Sequence, residues 1–171
     1  MTHFDPKQFY DELVENRLVV PAGPLGAFGR GAVFEDVLER LDALILRQST
    51  DDNVESLNFP PVIDRAIIEK TGYMDSFPNL CGSVHSFSGA ERDARSISQR
   101  IQTGQPWGEL LGMTDLVLNP AACYPLYPTC TGTLPKNGRH VTMFQWVYRQ
   151  EPSIEPTRMR SFRVRDRKSV V

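Results

Sequence analysis

The segment that most restricts the fold lies near the end of this 171-residue chain. RHVTMFQWVYRQ, residues 139–150, has the β-branched and aromatic content of a strand of about ten residues. PSIEPTR carries two prolines and reads as a loop. MRSFRVR alternates Met159, Ser161 and Arg163 against Arg160, Phe162 and Val164, as a second strand should. Two strands joined by so short a loop pair antiparallel. A hairpin of this length needs other strands and helices to cover it, so the remainder of the chain must supply layers.

Helical patterns precede it without a regular βαβ rhythm, which indicates an α+β fold: an antiparallel sheet flanked by helices. Asp5-Pro6 is an N-cap followed by Pro at the first helical position, opening a helix to about Leu18. VVPAGPLGAFGRG, broken by Pro and Gly, reads as loop. Phe34, Val37, Leu38, Leu41, Leu44 and Ile45 recur at helical spacing with acids and Arg40 opposite, a helix made to lie on a sheet or a partner subunit. QSTDDN follows as a polar turn. Val62, Ile63, Ala66 and Ile67 form a helical stripe that Gly72 would cap. A short strand falls at 83–87, a helix over ERDARSISQRIQ closes at Gly104, and DLVLNP reads as a buried strand stopped by Pro120.

Charge narrows the partners. Residues 1–56 carry a net charge of −6, whereas from Arg139 onward the net is +5. An acidic front end argues against a nucleic-acid partner, and a basic end is compatible with a phosphate-bearing ligand. No apolar run approaches the ~18 residues of a membrane span. The acidic N-terminus lacks the pattern of a signal peptide, and three cysteines are too few for a disulfide scaffold. A cytoplasmic, reduced protein is expected. His3, His85 and His140 are isolated, so a histidine-based site finds no support.

Arg149 and Glu151 close the first strand and, two apart, would share a face; Arg158 opens the second. An Arg fork can hold two phosphate oxygens, and a neighbouring Glu can accept from an exocyclic amine. The same residues would equally build a cross-strand salt-bridge ladder.

YRQEPSIEPTRMRSFRVRD, residues 148–166, resembles motif 2 of the class II aminoacyl-tRNA synthetases. FPPVIDRAIIEKTGYMDSFPNL (59–80) and NPAACYPLYP (119–128) resemble a narrower group, the amino acid:carrier protein ligases related to atypical, methanogen-type seryl-tRNA synthetases. The resemblance implies an antiparallel catalytic sheet, a homodimer, ATP with magnesium, and zinc. It implies activation of a small amino acid, glycine or alanine, as the aminoacyl adenylate. The aminoacyl group would then pass to the phosphopantetheine thiol of a carrier protein. By matching positions, Arg149 would hold the α-phosphate and Glu151 the adenine amine. Arg158 and Met159 would complete the nucleotide pocket, and Cys123 would be the first zinc ligand. Cys81 and Cys130 read as structural. A tRNA synthetase of the atypical type and a non-catalytic dimerisation or regulatory module are the alternatives.

The expected organisation is a helical segment over 1–54, a partial catalytic domain over 55–165 that ends with motif 2, and a tail, 166–171. The family pattern has Glu where Asp166 stands, and its third zinc ligand, amino-acid pocket and motif 3 would lie further on. DRKSVV followed by a stop is also the translation of a common sequencing adapter. The tail is therefore expected to be an artefact, and the chain an N-terminal fragment, inactive alone and poorly soluble through its unpaired strand edge.

Overall fold

A computed structural model describes residues 4–48 and 53–170. His3, Val171 and the centre of the QSTDDN turn fall outside them. The first helix, α1 (Pro6–Glu15), begins where Asp5 accepts a 2.9 Å hydrogen bond from the Lys7 N–H. It ends before Leu18 because Arg17 turns into the left-handed region at φ 56°.

The stretch read as loop instead forms a small antiparallel hairpin, β1 (Val19–Pro21) with β2 (Phe28–Arg30). Pro21 ends β1, so its missing N–H costs the ladder little, and the glycines sit in and after the turn. The segment before residue 54 is thus not purely helical. Helix α2 (Ala32–Gln48) follows the apolar periodicity, yet none of its residues is buried.

The expected C-terminal hairpin forms, with its second strand starting at Ser161 rather than at Arg158 or Met159. Strands β7 (Arg139–Tyr148) and β8 (Ser161–Val170) pair antiparallel from Arg139↔Val170 to Tyr148↔Ser161. A strand β3 (Val54–Leu57), unmarked by any strong sequence signal, adds to β7 in parallel, giving the order β3-β7-β8. A second sheet has the order β4-β6-β5, from β4 (Val62–Asp64), β5 (Ser83–Phe87) and β6 (Leu111–Leu118), all antiparallel.

One expected helix is shifted. Val62 and Ile63 belong to β4, where Ile63 pairs with Val117; helix α3 (Arg65–Lys70) starts only after Asp64, whose carboxylate caps the Ala66 N–H at 2.8 Å. Ile63 and Ile68 are buried with Tyr73 and Val117 in one core cluster. A short helix α4 (Tyr73–Ser76) follows Gly72, which takes φ +69°. Helix α5 (Glu91–Gln102) ends where expected, before Gly104. Among the described residues no helix is long and apolar enough to cross a membrane.

Candidate functional site

The open end of the β7–β8 hairpin gathers the predicted nucleotide residues. Arg149 lies one residue beyond β7, and its N–H extends the ladder to the Arg160 carbonyl at 2.8 Å. Its Nε donates to the Pro120 carbonyl at 3.2 Å, and its guanidinium lies 5.5 Å from the Phe162 ring centroid. Glu151 has left strand geometry, with its N–H turned back to the Arg149 carbonyl. Arg158 and Met159 sit in the connecting loop, before β8 begins. All four border one cavity of about 560 Å³ between the hairpin end and α2.

A salt-bridge ladder among these residues is not what holds them. Arg158 pairs with Glu155 of its own loop at 3.3 Å and is largely exposed. Arg149 makes no ion pair among the described residues. The Arg149 guanidinium is therefore left to the cavity without a carboxylate partner, and Phe162 and Met159 supply an apolar surface suited to a flat ring.

Ion-paired arginines line another part of the same cavity. Arg163 and Arg165 alternate with Phe162 and Val164 on β8 and reach α2, where Arg163 pairs with Glu35 and Arg165 with Asp42. Their guanidiniums stack on Phe144 at 5.5 and 4.7 Å, and Arg163 also lies over Trp146 at 5.4 Å. Arg30 from β2 stacks on Phe34 and Trp146 at 5.5 and 5.1 Å. Burial pulls the Arg30 pKa down, and the neighbouring Arg163 adds to this while Glu35 opposes it. Phe34, Leu38, Leu41 and Ile45 of α2 make the apolar far wall of the cavity. Periodicity marks this face of α2 as the packing face but not what it meets, and Arg30 carries no local signal.

Tyr73 was also missed. Its buried hydroxyl has no hydrogen-bond partner among the described residues; burial raises its pKa, and the Arg149 charge opposes the rise.

Cys123 is not part of this cavity. It lies in the loop after β6, packed beside Leu126, Val141 and Met143. Its thiol interacts with the Tyr127 hydroxyl, whose pKa is pushed up to about 12 first by that hydrogen bond, then by burial and by nearby negative charge including Asp166. Asp166 in turn holds Lys168 at 2.9 Å, which raises the lysine pKa. Cys123 and Asp166 thus share a neighbourhood, but among the described residues no group of three His, Cys, Asp or Glu could hold a metal ion. A catalytic zinc takes three protein ligands and an open position. Cys123 and Asp166 are two donors, short of that number among the described residues.

No family model matches the chain. It is 43% identical over 146 residues to amino acid–[acyl-carrier-protein] ligase 2 of Bradyrhizobium diazoefficiens, covering 84% of this chain and 43% of the relative. It is 42% identical over 153 residues to ligase 1 of the same organism, covering 88% and 47%. The chain therefore spans less than half the length of these curated relatives. Among solved structures, the M. kandleri SerRS in complex with A. aeolicus tRNASec superposes with a TM-score of 0.78 at 17% identity, over 94% of this chain and 33% of that one. The prolyl-tRNA synthetase of Cryptosporidium parvum with halofuginone and AMPPNP gives 0.60 at 11% identity, over 91% and 28%.

Proposed function

From a chain homologous to the amino acid–[acyl-carrier-protein] ligases and folded as part of a class II aminoacyl-tRNA synthetase, we propose that it is the nucleotide-binding portion of such a ligase. The observation that carries this reading is the convergence of Arg149, Glu151, Arg158 and Met159 on one cavity.

In the reaction the amino acid carboxylate attacks the α-phosphorus of ATP, supplied as its magnesium complex. The bond to the β-phosphate breaks and pyrophosphate leaves. The carrier's phosphopantetheine thiol then attacks the aminoacyl carbonyl, loses its proton to solvent, and AMP departs. Arg149 is suited to the α-phosphate because the Pro120 carbonyl and the Phe162 ring hold its guanidinium in place, so little reorganisation accompanies charge build-up. Glu151 is the acceptor for the adenine amine, and Arg158, exposed at the rim, meets the outer phosphates. A small amino acid such as glycine or alanine is the substrate, and a homodimer is the working assembly. No step is routed through zinc: Cys123 would be one ligand of a site that needs donors beyond the described residues.

Calorimetric titration of ATP into the wild-type chain and Arg149→Ala tests the nucleotide role. A charge-assisted hydrogen bond contributes about 1.5–3 kcal/mol, so Arg149→Ala should weaken binding roughly tenfold or more. Equal affinity in the two proteins, or no binding by either, rules this reading out.

A further inference from the structure

The β1–β2 hairpin has no role in the reading so far, yet it touches three successive residues of the loop that carries the nucleotide candidates. The Gly26 carbonyl in its turn accepts a 2.8 Å hydrogen bond from the Arg160 N–H. Gly26 itself takes φ +78°, and a Cβ there would stand 3.1 Å from the Arg160 Cγ, 3.2 Å from its backbone nitrogen and 3.4 Å from the Arg158 carbonyl. Glycine is therefore needed twice at this position, for the left-handed turn and for the close approach. At the far end of β2, Arg30 Nη2 points to the Met159 sulfur at 3.4 Å. Only 6% of the Arg30 side chain is exposed, with Phe34 and Trp146 on its guanidinium. Residues 23–28 also border Ser153 and Ile154 across a cavity of only about 40 Å³.

The other end of the hairpin is anchored as well. The Gly31 N–H bonds the Leu18 carbonyl at 2.9 Å, and a Cβ on Gly31 would collide with the Arg17 carbonyl oxygen at 1.8 Å. The Tyr10 ring of α1 packs on Phe28 at 5.8 Å. The hairpin is thus held from behind by α1 while its turn and Arg30 grip the loop.

We propose that the β1–β2 hairpin is a clamp that positions the 152–160 loop, acting through Gly26 and Arg30, so that Arg158 and Met159 meet the nucleotide already ordered. The role of Arg158 and Met159 rests on the ligase reading; the ordering of the loop does not. A long proline-bearing loop left free would have to pay its conformational entropy when ligand binds, which lowers affinity without removing a single ligand contact. Gly26 and Arg30 are positioning residues: Gly26 lies outside the cavity, and Arg30, at its wall, is almost fully covered by Phe34 and Trp146.

Hydrogen exchange and ATP titration on the 171-residue chain, wild type, Gly26→Val and Arg30→Met, decide it. Met at position 30 keeps an apolar stem against Phe34 and Trp146 and removes the guanidinium. The expected result is amide exchange at least about tenfold faster across 153–160 in both variants, with β5 and β6 unchanged, and ATP affinity about tenfold weaker. Loop exchange at the wild-type rate in both variants overturns the clamp, as does faster exchange with unaltered ATP affinity. Should Gly26→Val also expose β5 and β6, it has unfolded the chain and Arg30→Met decides. If the wild-type chain binds no ATP, the ligase reading falls, and loop exchange alone judges the clamp.

Discussion

Arg165 holds Asp42 through two parallel hydrogen bonds of 2.6 Å, Nε to Oδ1 and Nη2 to Oδ2, across 123 residues of sequence. Both side chains are mostly buried, and the pair ties α2 to β8 beside the candidate nucleotide cavity. Helix α2 buries no residue fully, and this fork, the Arg163–Glu35 pair and the Arg30 stack on Phe34 tie it to the strands. The fork geometry adds direction to the attraction, which a point charge would not.

Asp42→Ala should therefore cost about 1.5–3 kcal/mol in urea unfolding, the scale of hydrogen bonds to a charged partner. Exchange along α2 should rise well beyond that in β7, because the helix loses its attachment before the sheet does. Stability and α2 protection like those of the wild type would show that apolar contacts alone seat the helix.

The core of the β3-β7-β8 sheet is more sensitive to volume. Met143 is fully buried with Leu126 and Val141. Met143→Ala should destabilise by about 2–5 kcal/mol through lost transfer energy and the cavity left behind. Leu44→Ala, at a position 45% exposed on α2, should stay within about 0.5 kcal/mol. Thermal melts of the two variants check the contrast, and equal losses would contradict the burial pattern.

Thiol reactivity separates two cysteines. Cys81 packs against the Ile63–Ile68–Tyr73–Val117 cluster, and burial pushes its pKa above the ordinary 9.0. A smaller thiolate fraction at any given pH means slower alkylation than at exposed Cys130. The sign for stability follows from the same shift. The folded state holds this proton more tightly, so the contribution is complete below pH 9.0 and is lost as pH rises toward the raised value. Mass spectrometry after brief iodoacetamide treatment measures the order; Cys81 labelling first would contradict it.

Zinc retention tests whether Cys123 and Asp166 can hold the metal by themselves. The described residues offer Cys123 and Asp166 in one neighbourhood and no third donor, while Lys168 already pairs with Asp166. The chain incubated with zinc and passed through gel filtration should carry well under one equivalent, and Cys123→Ala should not change that amount. One retained equivalent, lost in Cys123→Ala, would show that this chain completes a zinc site around Cys123.

Local signals in this sequence decided local structure. Asp5-Pro6 starts α1, Gly104 follows the end of α5, and alternation over Ser161–Val164 gives the faces of β8, because caps, turns and periodicity act between near neighbours. Arg149, Glu151, Arg158 and Met159 were legible as a group through their motif, and the fold does bring them to one cavity. Where local signals conflicted, tertiary pairing won. Val62 and Ile63 fit a helical stripe, but β6 offered a ladder and Asp64 a later cap. The Gly- and Pro-rich stretch after α1 looked like loop, yet three residue pairs with β2 were enough to make a hairpin.

What the chain could not announce are the long-range partners. The parallel β3–β7 pairing, the Arg165–Asp42 fork and the Arg30–Met159 contact join residues far apart in sequence. No capping residue or period encodes such meetings. They arise when the sheet and α2 settle together, since a guanidinium or a strand edge accepts many partners and only packing selects among them.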